Sequence, residues 1–274
     1  MTGMDGIMKG KRGLIMGVAN DHSIAWGIAK QLADAGAELA FTYQGEGFGR
    51  RVKPLAESVG SKLMLPCDVE DIATVDQVFE RLKAEWGTID FVVHAIGFSD
   101  KSELKGRYAD VTTRANFSRT MVISAYSFTE VAQRAAPMMR EGGSILTLTY
   151  GGSMRVMPNY NVMGVAKAAL EAMVRYLAAD YGQDGIRVNA ISAGPVRTLA
   201  GAGIGDARAM FNYQKKNAPL RRTVDIGDVG KSALYLLSDL SSGVTGEIHY
   251  VDSGFNITSM PIVSELKRTD TEPS

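Results

Sequence analysis

One cysteine, Cys67, occurs in 274 residues, so no internal disulfide is available to the chain. That scarcity fits a reducing, cytoplasmic compartment and argues against a small disulfide-stapled fold. Net charge is missing as well, since 30 lysines and arginines balance 30 aspartates and glutamates. A general nucleic-acid surface, which shows as a basic excess or stripe, is therefore not expected. Nothing approaches the roughly 18 consecutive apolar residues that cross a bilayer. The opening "MTGMDGIMKGKRGLIMGVA" has scattered glycines where a signal peptide would carry an apolar core. Histidine is sparse, and His22, His94 and His249 lie too far apart for a zinc-helix motif, so no metal site is expected. The 14 methionines read as adaptable core and pocket lining.

What is present is an alternation of two periods. Strand-length apolar runs at 12–18, 37–43, 62–69, 89–97, 143–150, 186–192 and 246–252 are separated by segments of helical period. The helical segments include 23–36, 49–60, 71–87, a long region from about Asn116 to Arg140, and one from about Asn159 to Tyr181. Runs that are apolar without alternation are buried on both faces, as in a parallel sheet covered by helices. The expected fold is α/β, a single Rossmann-type doubly wound parallel sheet of about seven strands flanked by helices. It would occupy the whole chain, 1–274, with loosely held ends.

Ligands of such folds bind beyond the carboxyl ends of the strands. The first βα turn, "GVANDHSIAWGIA", lacks GxGxxG. Gly17 would let the chain turn close to a pyrophosphate. Ser23 is placed to cap the helix and, with Ile24, to face phosphate oxygens. Gly27 is expected to permit close helix–strand packing. After the second strand, Gln44 stands where an acidic residue often binds the adenosine ribose. Its neutral amide favours NADH, although Arg50 and Arg51 could hold the extra phosphate of NADPH. Asp68, beside Val69, is placed to accept from an adenine amino group; capping of the next helix is the alternative. Ile96 and Gly97 would pass beneath the cofactor.

At the chemical end, no tyrosine has a lysine four positions later, the spacing usual in short-chain dehydrogenases. Only Tyr160 has one seven positions later, Lys167, and Tyr150 lies ten before it. On a helix that spacing puts Tyr160 and Lys167 on one face. Read alone, it also describes an ordinary amphipathic helix. "ISAGPVRTLA" adds a turn after the next strand, where backbone groups could hold a nicotinamide amide.

Together, "GVANDHSIAWGIA", "FTYQ", "CDV", "HAIGF", "LTLTYGG", "PNYNVMGVAK", "ISAGPVRTLA", "PLRRTVDIGDVG" and "GEIHYVDSGF" resemble the NADH-dependent enoyl-acyl-carrier-protein reductases of bacterial fatty-acid synthesis, a divergent branch of the short-chain dehydrogenases. The resemblance implies that Tyr160 hydrogen-bonds the thioester oxygen and that Lys167 binds the nicotinamide ribose. Tyr150 would be an auxiliary catalytic group or a wall of the acyl pocket. It carries NAD contacts onto Gly17, Ser23, Ile24, Gln44, Asp68, Val69, Ile96, and Val196, Arg197, Thr198, Leu199 and Ala200. Ser99 matches a substrate-side position, and Met163, near Tyr160, is expected to line the acyl pocket. Acyl carrier protein and a homotetramer are the implied partners. Residues 198–219 read as a lid, with Met210 and Phe211 closing over an acyl chain and Arg208, Lys215 and Lys216 available to an acidic carrier. An NADPH-dependent ketoreductase and a non-catalytic nucleotide sensor are the rival readings.

Overall fold

A computed structural model describes residues 6–196, 198 and 207–263. Among them, seven strands form one sheet: β1 (Arg12–Met16), β2 (Glu38–Tyr43), β3 (Leu63–Pro66), β4 (Phe91–His94), β5 (Gly143–Thr149), β6 (Ile186–Ala193) and β7 (Ile248–Val251). Their order is β3-β2-β1-β4-β5-β6-β7, with every neighbouring pair parallel. The expected sheet is therefore present. Alternate residues of each central strand enter two separate cores. Leu14, Met16 and Val92 join one, while Ile15, Phe91 and Val93 join the other. Both sets are apolar, which is why the sequence runs show no alternation.

The helices are α1 (Ile24–Asp34), α2 (Gly45–Ser58), α3 (Ile72–Trp86), α4 (Tyr108–Val111), α5 (Arg114–Met121), α6 (Ser127–Ala135), α7 (Asn161–Tyr181), α8 (Ala207–Asn217) and α9 (Ile226–Leu237). Residues of α3, α6 and α7 fill one core, and those of α1, α2 and α9 the other. Local chemistry sets several helix starts. Asp71 accepts from the Ala73 amide at the head of α3, Thr113 caps α5, and Asp225 and Asp228 form a reciprocal capping box on α9.

Three expectations need correction. The long helix expected from Asn116 to Arg140 begins at Arg114 and is broken by a π-turn, Val122–Tyr126, between α5 and α6. The helix expected from about Asn159 begins at Asn161; Asn159 has a positive φ of 57°, which a right-handed helix does not admit, and Asn161 at its first position is also left-handed, φ 36°. Tyr160 is thus the cap of α7 and not a residue of its first turn. Gly27 does not face a strand; a Cβ there would lie 2.4 Å from the Ile226 carbonyl oxygen, so it serves the crossing of α1 and α9.

Strands β1 and β4 are neighbours, yet β1 leads toward β2 and β4 toward β5. The crevice outside their carboxyl ends is the switch point at which doubly wound sheets bind ligands.

Candidate active site

The chain leaves β1 at Gly17 with φ 97°, and a Cβ there would stand 2.0 Å from the Ala95 carbonyl oxygen. Only glycine fits this approach to the end of β4. Ser23 is buried and stands at the cap position of α1, but its side chain does not cap the helix. Its hydroxyl accepts from the Ala19 and Asn20 amides, both at 3.0 Å, and its own amide donates to the Asn20 carbonyl. The hydroxyl is used to fold the turn, and the positive end of α1, starting at Ile24, is left without a side-chain cap.

At the next strand ends, the Gln44 amide donates to an Asp68 carboxylate oxygen at 2.9 Å. Residues 24 positions apart thus form one polar edge. Asp68 does not cap α3, a role taken by Asp71; its other oxygen accepts from the Glu70 amide. The side chains of Val69 and Ile96 pack into the core under α3 and α6, so these residues offer backbone to a ligand. Arg50 and Arg51 are exposed on α2.

Across the switch point, Lys167 comes up from α7. Its ammonium is buried and donates to the Leu148 carbonyl oxygen at 2.9 Å. Burial draws its pKa down from 10.5 to about 8, while the Glu171 carboxylate pulls it up. A Cβ on Gly97 would lie 3.7 Å from Lys167 Nζ, 3.7 Å from Met163 Cε and 3.8 Å from Ser124 Oγ, so these four residues converge. Tyr160 is 7% exposed and meets Tyr150 edge to face, with ring centroids 5.1 Å apart. Burial pushes the Tyr150 phenol up to about 12 and raises Tyr160 further, helped by Tyr150 and Glu171. At neutral pH both phenols are hydrogen-bond donors. Tyr150 also lines a cavity of about 230 Å³ with Met154, Met157, Gln214, Tyr250 and Phe255.

Two contributors were not singled out from sequence. Ser124 projects from the π-turn, accepts from the Phe98 amide and donates to the Phe98 carbonyl, both at 2.8 Å. It fixes the chain just after Gly97; a serine inside the apolar run "MVISAYSF" was its only trace. Glu171 is a buried carboxylate one turn beyond Lys167. Ser99 is buried, its hydroxyl accepting from Asn116 and Thr120 at 3.1 and 3.0 Å. Val196 is half-buried against the core of α1 and α9. Arg197, Leu199 and Ala200, and the front of the expected lid, lie outside the described residues. The rear of that segment is α8, whose Gln214 donates to the Asp252 carbonyl oxygen. Arg208, Lys215 and Lys216 are exposed on it, and Met210 and Phe211 are half-buried.

A family model described as enoyl-(acyl carrier protein) reductase matches residues 17–256, spanning both ends of this crevice. The chain belongs to that family. Among its relatives, enoyl-[acyl-carrier-protein] reductase [NADH] 2 of Rhizobium meliloti (strain 1021) is 76% identical over 269 residues, 98% of this chain and 100% of that protein. The crystal structure of FabI from Candidatus Liberibacter asiaticus has a TM-score of 0.92 and 63% identity, covering 94% of this chain and 100% of that one. The enoyl-(acyl-carrier-protein) reductase of Anaplasma phagocytophilum, crystallised in complex with NAD, has a TM-score of 0.90 and 56% identity, covering 94% and 96%. Family membership therefore rests on nearly the full chain. Among the described residues, no helix is long and apolar enough to cross a membrane.

Proposed function

We propose that this chain reduces the C2–C3 double bond of trans-2-enoyl thioesters with NADH, the last step of a fatty-acid elongation cycle. The observation that carries this reading is the pair Tyr160 and Lys167, buried in one crevice but offset by seven residues, with the tyrosine at the cap of α7. In a carbonyl reduction, hydride and the hydroxyl donor converge on one C=O bond. In a conjugated thioester, the carbon reduced is two atoms away from the carbon whose oxygen gathers charge. A donor three residues farther from Lys167, just ahead of α7, suits that offset.

The crevice suits a dinucleotide. Gly17 crosses the end of β4 where a Cβ would collide, α1 presents an uncapped N-terminus for phosphates, and the Gln44–Asp68 edge suits the adenosine half. The neutral Gln44 amide favours NADH over its 2′-phosphorylated form. Ile96, Gly97, Val69 and the turn from Val196 to Ala200 would supply backbone contacts, and Lys167 would bind the nicotinamide ribose hydroxyls. When bound, the reduced nicotinamide supplies the hydride. Tyr160 would donate a hydrogen bond to the thioester oxygen as negative charge gathers there, and the nearby Lys167 cation favours the same charge. Tyr150 and Met163 would wall the acyl pocket, and Ser99 would hold the loop on its substrate side.

The thioester would arrive on an acidic acyl carrier protein, for which Arg208, Lys215 and Lys216 of α8 offer positive charge. Residues 198–219 would act as the lid of a single dinucleotide-binding domain. A cytoplasmic location, which the lone buried cysteine suits, and a homotetramer, which the family resemblance implies, complete the reading. The test is NADH or NADPH oxidation, followed by absorbance, with crotonyl and acetoacetyl thioesters. Consumption of NADH with the enoyl substrate alone is expected; preference for the keto substrate would replace this reading with a ketoreductase, and no turnover with either by a nucleotide sensor.

A further inference from the structure

Glu171 is buried one turn beyond Lys167, yet the reaction as described leaves it without a task. Its Oε1 accepts from Thr149 Oγ1 at 2.7 Å and from Ser153 Oγ at 2.5 Å. Thr149 ends β5 and Ser153 closes the short helical turn that follows, so the two bonds grip the chain on both sides of Tyr150. Between them, Gly152 lies so close to Tyr160 that a Cβ would stand 2.5 Å from its ring. One carboxylate thereby ties the helix that carries Lys167 to the segment that walls both tyrosines.

We propose that Glu171 is a positioning residue: it holds the Tyr150 segment against Tyr160 in register with Lys167, and its charge keeps Lys167 cationic for cofactor binding. The inference rests on the assignment of Lys167 to the cofactor. Lys167 Nζ has a carbonyl as its hydrogen-bond partner, and Glu171 is the anion that offsets its burial. The groups facing this pair from other elements do not replace that charge. His94 at the end of β4 is held neutral, its pKa drawn by burial to about 3. Tyr150 and Tyr160 are held protonated. From β7, the Tyr250 phenol is raised by burial and by Glu171, with Arg155, Asp252 and Glu247 also around it.

Glu171→Gln separates the two duties, because its amide oxygen still accepts from both hydroxyls while the charge is gone. The measurement is the dissociation constant of NADH, by fluorescence titration, across neutral and alkaline pH. In the unaltered chain it is expected to rise as pH climbs through about 8, where Lys167 loses its proton. In Glu171→Gln the same rise is expected to start about one pH unit or more lower, the usual effect of losing an adjacent opposite charge. Below both limbs, its affinity and kcat stay near those of the unaltered chain. Glu171→Ala should show the same shift and, in addition, lose about tenfold or more in kcat at the lower pH, because the Tyr150 segment is released. A Glu171→Gln profile that superimposes on the unaltered one overturns the electrostatic duty; full kcat in Glu171→Ala overturns the positioning duty. Lys167→Ala, titrated alongside, tells the two assignments apart. If it binds NADH normally, the Lys167 assignment falls and takes this one with it. If it binds weakly while the Glu171→Gln profile is unmoved, only the Glu171 inference falls.

Discussion

Tyr160 is set by its two neighbours as much as by its own packing. Asn159 and Asn161 hold left-handed backbone on either side of it, and the Asn161 amide anchors to the Glu103 and Gly106 carbonyl oxygens at 3.0 and 3.3 Å. Asparagine tolerates such φ better than most residues, which fits its presence at both places. With its phenol raised by burial, Tyr160 stays protonated, and its proposed role is hydrogen-bond donation. Tyr160→Phe should therefore keep NADH affinity and lose about 10²-fold in kcat, the scale of one lost oxyanion donor. Steady-state kinetics with an enoyl thioester checks this, and an unchanged kcat removes Tyr160 from the chemistry. The tyrosine, the lysine and their unusual spacing were legible in the chain. The cap position was not, since helical periodicity reports a face but not the residue at which backbone dihedrals turn helical.

At the scale of elements, α1 and α9 cross through a pair of glycines. A Cβ on Gly27 would meet the Ile226 carbonyl at 2.4 Å, and one on Gly230 would meet the Gly27 carbonyl at 2.5 Å. The contact brings α9 against the helix whose N-terminus is proposed to face the cofactor phosphates. Gly230→Ala gains helix propensity but overpacks this crossing, and a net loss of about 1–3 kcal/mol is expected. Urea unfolding measures it. An unchanged midpoint would mean that the helices separate without cost. The glycines were visible in "SIAWGIA" and "IGDVG", but their meeting joins segments some 200 residues apart, and no local pattern announces it. The π-turn that delivers Ser124 is silent in the sequence for a related reason, because one extra residue in a helix barely disturbs a 3.6-residue period.

For the whole molecule, buried titratable groups shape stability against pH. Burial lifts Cys67 from 9.0 to about 11 and Tyr150 from 10.0 to about 12, and Tyr160 rises as well. A folded value above the unfolded one gives stability that is complete below the unfolded value and lost as pH climbs through the folded one. Lys167 runs the other way, adding stability between about 8 and 10.5 as the folded chain sheds a proton first. Three acids outweigh one base, so stability falls steeply beyond about pH 10, by up to about 1.4 kcal/mol per pH unit for each proton. On the acid side, His94 is bonded to Ser127 at 2.9 Å and drawn down from 6.5 to about 3. Its contribution is complete above 6.5 and fades as pH drops toward 3. Urea midpoints measured against pH should show both limbs, and His94→Asn should flatten the start of the acid one. An acid limb of unchanged slope in that variant would deny His94 the role.

By itself the sequence determined the seven-stranded parallel sheet, the strand ends proposed to face a dinucleotide, and the Tyr160–Lys167 spacing. These are local properties, written in periodicity, glycine positions and residue type along short stretches. Tertiary structure alone decided that Gln44 and Asp68 share one edge, that Ser23 folds its own turn instead of capping α1, and that Glu171 reaches across to Thr149 and Ser153. Each of these joins side chains through a hydrogen bond whose geometry exists only after the sheet has brought its strand ends together. Hydrogen bonding of that kind depends on tenths of an ångström and on direction, and neither is encoded in the spacing of residues along a chain.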